Sequence, residues 1–353
     1  MRGILNINRV HRLIKSAIED LGLDLRGICV LTEAASGPFA ITPVLAAMAG
    51  AESVIAVGRD SRWGYFRDVV GQIEHLAQEF KCHDVIRFSD LPAYEHSARV
   101  NLVTNLGFVR PIDRRLIDSL PSDSAVALMW EPWEFRESEI DVKACYKRGI
   151  PVLGTNEQYP RLRIFEYLPR VIERLLFELD IEVTFSKLVL IASPPFGTKI
   201  FEGLSRSGAE VDWIDPLVNE TWKDRIESNM DKLDAIVVAE HRSEDCFVGN
   251  AGISPELFLE HGVELIHLCG NLDYASVGRT GLVKHPSVQT PHGVMTVTTD
   301  FVGPRPVIDL HAAGLAIGGK LIQCIREGMS RIEAENYVVE SGLGARIPDQ
   351  HTN

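Results

Sequence analysis

The stretch from Ser186 to Pro216, SKLVLIASPPFGTKIFEGLSRSGAEVDWIDP, constrains the fold more than any other part of the chain. Lys187 to Ala192 is a short apolar run, the pattern of a strand buried in a parallel sheet. A tight loop, Ser193 to Gly197, follows it. A helical stretch comes next, with Ile200 and Leu204 apolar and Gly208 closing it. Glu210 to Ile214 reads as a second strand, and Asp215 sits at its tip. The order is strand, loop, helix, strand, acid, with the acid about 20 residues after the loop. In such a βαβ unit the loop N–H groups and the helix N-terminus suit a pyrophosphate, and the acid suits ribose hydroxyls. Set against G-x-G-x-x-G with Gly197 as the third glycine, the first position is Ala192 and the second is Pro194. Gly197 keeps the close packing of helix on strand, and Ala192 is a mild change at the turn. Pro194 removes an N–H where the backbone would approach a phosphate. Ser193, Gly197, Thr198 and Asp215 are the candidate cofactor residues. NAD or NADP is one ligand class, and S-adenosylmethionine, which carries no phosphate, is the alternative.

The bulk numbers set limits. The chain has 353 residues, of which 45% are hydrophobic and 24% charged, enough for two domains with cores of their own. No run of about 18 uncharged apolar residues occurs, so no membrane span is expected. The first residues carry charges throughout and lack the apolar core of a signal peptide. The formal net charge is −13 with no basic stripe, which argues against a nucleic-acid partner. The six cysteines are scattered without a C-x-x-C pair, as expected of reduced cytoplasmic core residues.

The first half alternates helical and strand patterns. Asn8 to Leu21 is an amphipathic helix that Asn8 could cap. Gly27 to Leu31 reads as a strand, and the loop Thr32 to Pro38 feeds a helix, Ile41 to Ala49. Ser53 to Val57, Asp84 to Phe88, Arg99 to Thr104, Ala125 to Met129 and Pro151 to Leu153 read as further strands. Tyr65 to Phe80, Arg114 to Leu120 and Glu139 to Arg148 read as helices. Such alternation predicts a doubly wound parallel sheet, with ligands beyond the carboxyl ends of its strands. Glu33, Asn105, the run Trp130-Glu131-Pro132-Trp133-Glu134 and Glu157 fall at those ends. Glu33, at a helix N-terminus, would repel a phosphate. Glu33, Asn105, Trp133 and Glu134 are candidate substrate residues, and Glu131 is a candidate acid or base.

In the second half, Leu162 to Leu179 is a long helical pattern that Pro169 could kink. Lys223 to Met230 and Pro255 to His261 read as helices. Ala235 to Ala239 and Glu264 to Cys269 read as strands. His241 follows the first of these strands, and Gly270-Asn271-Leu272-Asp273 follows the second. Pro306 to Arg326 is an apolar helix. Its small residues Ala312, Ala313, Gly314, Gly318 and Gly319 predict tight packing on another backbone and weakly suggest a homodimer. His267 and His311 lie in apolar surroundings and read as structural. The histidines lack i, i+4 metal spacing, so no metal is predicted. The fold class is α/β, with two doubly wound parallel-sheet (Rossmann-like) domains and a cleft between them. Residues 1–160 form a Rossmann/flavodoxin-like substrate domain. Residues 161–353 form a Rossmann-like cofactor domain whose C-terminal helix packs back.

Four stretches give the chain a distant resemblance to the two-domain NAD-binding enzymes typified by D-2-hydroxyacid dehydrogenases and S-adenosylhomocysteine hydrolase. DVKACYKRGIPVLGTNE (Asp141 to Glu157) is similar to the end of the dehydrogenases' substrate domain. ASPPFG with DWID is similar to their cofactor fold. The stretch Asp234 to Asp273 resembles a hydrolase segment ending in a G-H-F-D-type loop, and HPSVQTPHGV resembles the segment bearing a catalytic T-P-H. The resemblance implies a divergent member with His292 as acid/base, His241 as the alternative, and Asn271 beside the cofactor. The family's carboxylate-binding Arg is replaced by Gly270-Asn271, and no acid between Asp273 and His292 takes the expected place. The implied activity is that of an NAD(P)-dependent oxidoreductase-like or hydrolase-like enzyme acting on a small polar metabolite between the domains. The other readings are a transferase on the same scaffold and a degenerate protein that binds a ligand without catalysis. Asp215 mildly favours NAD over NADP, since an acid repels the 2′-phosphate.

Overall fold

The computed structural model describes residues 6–291 and 293–348. The short apolar runs become strands: β1 (Cys29–Glu33), β2 (Ser53–Val57), β3 (Ile86–Ser89), β4 (Leu102–Thr104), β5 (Ala125–Ala127), β6 (Val152–Thr155), β7 (Lys187–Ile191), β8 (Glu210–Ile214), β9 (Ala235–Ala239), β10 (Cys246–Val248), β11 (Glu264–Cys269), β12 (Asn271–Leu272), β13 (Lys284–His285) and β14 (Gly344–Ala345). Helices occupy most of the intervals, so successive strands return in the same direction and pair in parallel. The chain divides into two compact units. One is Met1–Arg163 with Gly303–Asn353, and the other is Ile164–Val302. Each is a Rossmann-like α/β unit with a parallel sheet.

The sheet of the first unit runs β14-β6-β5-β4-β1-β2-β3. Only β14 is antiparallel to its neighbour. From β1 the chain steps outward through β2 and β3, then crosses back to β4. The strand order therefore reverses between β1 and β4. Helix Arg305–Arg326 packs on β4, β5 and β6 and touches helices Ile7–Leu21, Ile41–Met48 and Arg331–Glu340. It is long and apolar enough to cross a membrane by length and composition, but 67% of that window is buried, so its apolarity serves the core. Gly314 and Gly318 face the chain's own sheet, and Gly319 faces Asp24 and Leu25. A Cβ on Gly318 would lie 2.2 Å from Leu102 Cδ1, and one on Gly314 would lie 2.4 Å from Met129 Cε and 3.2 Å from the Leu128 oxygen. Gly314→Val is therefore expected to destabilise by about 1–3 kcal/mol through overpacking. Urea unfolding measures this, and an unchanged midpoint would contradict the packing.

The second unit orders its sheet β13-β11-β9-β7-β8, all parallel, with β10 and β12 paired as a small separate sheet. Here the order reverses between β7 and β9. Successive residues of β7 feed opposite cores. Leu188 and Leu190 join helices Leu168–Glu178 and Phe196–Arg206, while Val189 and Ile191 join Trp222, Ile226 and Phe258. A strand buried on both faces has no polar alternation, which is why its sequence is a continuous apolar run.

Several expected elements are corrected. Glu33 is the last residue of β1, not part of the loop before a helix. The long pattern Leu162 to Leu179 is a short 3₁₀ turn, Ile164–Tyr167, followed by helix Leu168–Glu178. Pro169 lies in that helix's first turn, where its missing N–H costs nothing, so it starts the helix and does not kink it. Asn6, not Asn8, caps the first helix, accepting from Arg9 N–H at 2.8 Å. The helix expected from Glu139 begins at Val142, because Asp141 caps it through Ala144 N–H at 2.9 Å. The second unit ends at Val302 and not at the C-terminus, because helix Arg305–Arg326 gives its apolar face to the first unit's sheet.

Candidate functional site

The loop after β7 and the tip of β8 form one constellation in the second unit. Helix Phe196–Arg206 starts directly after Pro195, so Gly197 lies in its first turn. A Cβ on Gly197 would meet Trp213 Nε1 at 2.4 Å and the Ala192 oxygen at 2.5 Å. The Trp213 indole, inserted from β8, donates to that same oxygen at 2.7 Å. Glycine is thus required by close approach, as the sequence pattern predicted. Ser193 Oγ donates to Asp215 Oδ1 at 2.7 Å, and the same oxygen accepts from Leu217 N–H at 3.1 Å. The acid at the tip of β8 is therefore fixed against the loop. Thr198 is half-buried in the helix's first turn.

A pyrophosphate at this loop needs amide donors. Pro194 and Pro195 have none. The Ser193 N–H donates to Glu240 Oε2 at 2.5 Å, and the Gly197 N–H donates to the Ser193 oxygen at 2.9 Å. Glu240, fully buried, thus takes up the Ser193 amide with its own carboxylate. Two positions of the loop have no amide and two amides are already engaged, which disfavours the pyrophosphate of a dinucleotide.

Other named residues of this unit fall around the loop or apart from it. His241 stacks on Phe196, with ring centroids 4.4 Å apart and planes at 23°. Burial pushes its imidazole down to about 4, so it is neutral at neutral pH. Asn271 is in β12, and its amide donates to the Glu244 oxygen at 2.7 Å. His292 lies outside the described residues. The segment before it is pinned by Tyr274, whose hydroxyl accepts from Thr290 N–H at 3.1 Å and donates to the Thr290 oxygen at 3.0 Å. Burial pushes Lys284 down to about 8, and its ammonium donates to the Pro286 oxygen at 2.7 Å and to the Val288 oxygen. Among the described residues no group of three or more His, Cys, Asp or Glu could hold a metal ion.

In the first unit, acids gather beyond β5 and β6. Glu131 Oε1 accepts from Glu157 N–H at 2.8 Å. Gly154 in β6 lets the 131–134 turn approach, since a Cβ there would lie 2.6 Å from Pro132 Cγ. Burial raises the carboxyls of Glu131, Glu134 and Glu157. Glu134 is pushed up to about 7, with like-charge repulsion from Glu131 and Glu139 adding to burial and Arg136 opposing it. A carboxyl poised there can give or take a proton near neutral pH. Glu139 pairs with Arg110 and, at 3.2 Å, with Arg136. Asn105 is buried, and its side-chain oxygen accepts from Met129 N–H at 2.9 Å, joining the ends of β4 and β5. Glu33 accepts from Phe108 N–H at 3.1 Å. Trp133 belongs to the 3₁₀ turn Pro132–Glu134.

Glu240 and Trp213 were not singled out by the sequence, whereas Glu157 was placed among the strand-end residues. Glu240 is the first residue past β9, and only the strand order shows that this position faces the loop after β7. Trp213 lies inside the strand read from Glu210 to Ile214, and only its contact with Gly197 and the Ala192 oxygen marks it out.

No family model matches the chain, and no curated protein matches it in sequence. Solved structures do match. A dipicolinate synthase structure from Bacillus halodurans shares 10% identity at a TM-score of 0.51, over 82% of this chain and 96% of that one. Dipicolinate synthase from Bacillus subtilis shares 10% identity at a TM-score of 0.52, over 87% of this chain and 100% of that one. D-lactate dehydrogenase from Salmonella follows with 11% identity at a TM-score of 0.47, over 83% and 97%. At such identities the likeness is one of fold. The distant resemblance drawn from the order of motifs holds at that level, and the chain has two Rossmann-like units, a fold it shares with the dipicolinate synthase structures.

Proposed function

We propose that the chain is an enzyme acting on a small polar metabolite, and that its second unit takes an adenosine-bearing ligand without a pyrophosphate, of the S-adenosylmethionine class. The observation that carries this reading is the contact between Ser193 N–H and Glu240, beside two prolines that offer no donor. A dinucleotide loses its phosphate contacts at such a loop, whereas an adenosine ribose needs only the acid at the tip of β8. Asp215 supplies that acid. In the first unit, Glu134 is the candidate proton donor or acceptor.

A second reading is an NAD(P)-dependent oxidoreductase. The dehydrogenase-like fold and the position of Asp215 favour it, and the acid favours NAD over NADP. Thermal unfolding in the presence of ligands separates the two. S-adenosylhomocysteine is expected to raise the midpoint of the wild type, and Asp215→Asn is expected to lose most of that rise. NAD+ and NADH are expected to do no more than adenosine. Stabilisation by NADH with S-adenosylhomocysteine inert would overturn the first reading in favour of the second.

A further inference from the structure

The strand order reverses once in each unit, and in both units a glutamate of the chain itself reaches the amides at that reversal. In the second unit it is Glu240, with 0% of its surface exposed. Its Oε2 accepts from Ser193 N–H at 2.5 Å, while its Oε1 accepts from Arg242 N–H at 2.6 Å and Ser243 N–H at 2.8 Å. Three amides, from the loops after β7 and β9, converge on one carboxylate. In the first unit it is Glu33, 7% exposed, at the end of β1. It accepts from Phe108 N–H at 3.1 Å in the loop after β4, with Gly107 beside it: a Cβ there would lie 3.3 Å from Glu33 Oε2. The crevice at a strand-order reversal is where sheets of this kind turn amides toward a ligand's anion.

We propose that Glu240 is a built-in stand-in for a ligand phosphate and the residue that sets the second unit's specificity against phosphate-bearing ligands. Buried amides need acceptors, and a tethered carboxylate meets that need at a high effective concentration. An incoming phosphate must displace it and faces its charge. At Glu33 the arrangement is mirrored: the carboxylate ends the first strand, and the amide it takes lies in the loop after the crossing strand. This inference rests on the reading that the ligand carries no pyrophosphate, and it names the residue responsible.

The test uses inorganic phosphate as probe, with no adenosine compound present. Glu240→Ala leaves three donors unmet, so its unfolding midpoint should fall several degrees below that of the wild type. Phosphate should raise it saturably toward the wild-type value, with chloride at equal ionic strength as reference. The wild type should not respond. Parallel phosphate curves for the two proteins would overturn the proposal. Should Glu240→Ala fail to fold, Glu240→Gln keeps the length and one acceptor oxygen without the charge. It should bind inorganic pyrophosphate at least about tenfold tighter than the wild type by calorimetry, and equal affinities would overturn the proposal. A failure of S-adenosylhomocysteine to bind would sink the functional reading and leave these results standing. Parallel phosphate curves would sink the specificity role and leave the ligand reading standing.

Discussion

Gly197→Ala is expected to destabilise the protein by about 3 kcal/mol. The added Cβ would lie 2.5 Å from the Ala192 oxygen, a backbone atom that cannot rotate away, and 2.4 Å from Trp213 Nε1. Either the helix withdraws from the strand or the indole leaves. If the indole leaves, the Trp213 bond to the Ala192 oxygen is lost too, at a further cost of about 1 kcal/mol. A partner variant sharpens the prediction. Trp213→Leu removes the ring that fills the contact, so adding Gly197→Ala on that background should cost less than on the wild type. Urea unfolding of the four proteins gives the coupling. A single Gly197→Ala change within about 0.5 kcal/mol of wild type would show that the helix does not sit as described.

Glu134→Gln is expected to stabilise the protein above neutral pH while lowering activity. A carboxyl raised from an unfolded value near 4.5 to about 7 in the fold binds its proton more tightly when folded. The folded state then holds more protons between those values, so stability falls as pH rises from about 4.5 to about 7. At pH 8 the full penalty is present. Two and a half units would be about 3 kcal/mol, and screening of the partly exposed carboxyl reduces that to about 1–2 kcal/mol. The neutral amide escapes it. The buried histidines act in the opposite sense. His241 and His267 are held at about 4 by burial, so the unfolded state takes their protons first and stability falls as pH drops below 6.5. Subtracting the wild-type profile from that of Glu134→Gln reports this carboxyl together with the neighbour it raises, Glu157. A flat difference across pH 4.5 to 7 would contradict its burial among acids.

The βαβ unit at residues 186–216 was legible because its strands are buried on both faces and its punctuation is local. Gly197 could be read for the same reason, since the close approach it permits is between elements adjacent in sequence. What local pattern cannot carry is topology. Glu240 and Ser193 lie 47 positions apart and meet only because β9 inserts beside β7. The final helix was legible as a helix, but its small residues pointed only to a close partner. Gly314 and Gly318 meet the ends of Met129 and Leu102, and no periodicity names those. Pro169 misled because a proline inside an apolar pattern reads equally as a kink or a start. The short 3₁₀ turn ahead of it decides for a start.

The most direct measurement is a calorimetric titration of the wild-type protein with adenosine and, in parallel, with ADP-ribose. The two share the adenosine that Asp215 would hold and differ by the pyrophosphate and second ribose. The arrangement around Ser193 and Glu240 predicts that ADP-ribose binds no tighter than adenosine. An ADP-ribose affinity about 100-fold higher, near 3 kcal/mol of added binding, would mean that the loop accepts a pyrophosphate after all.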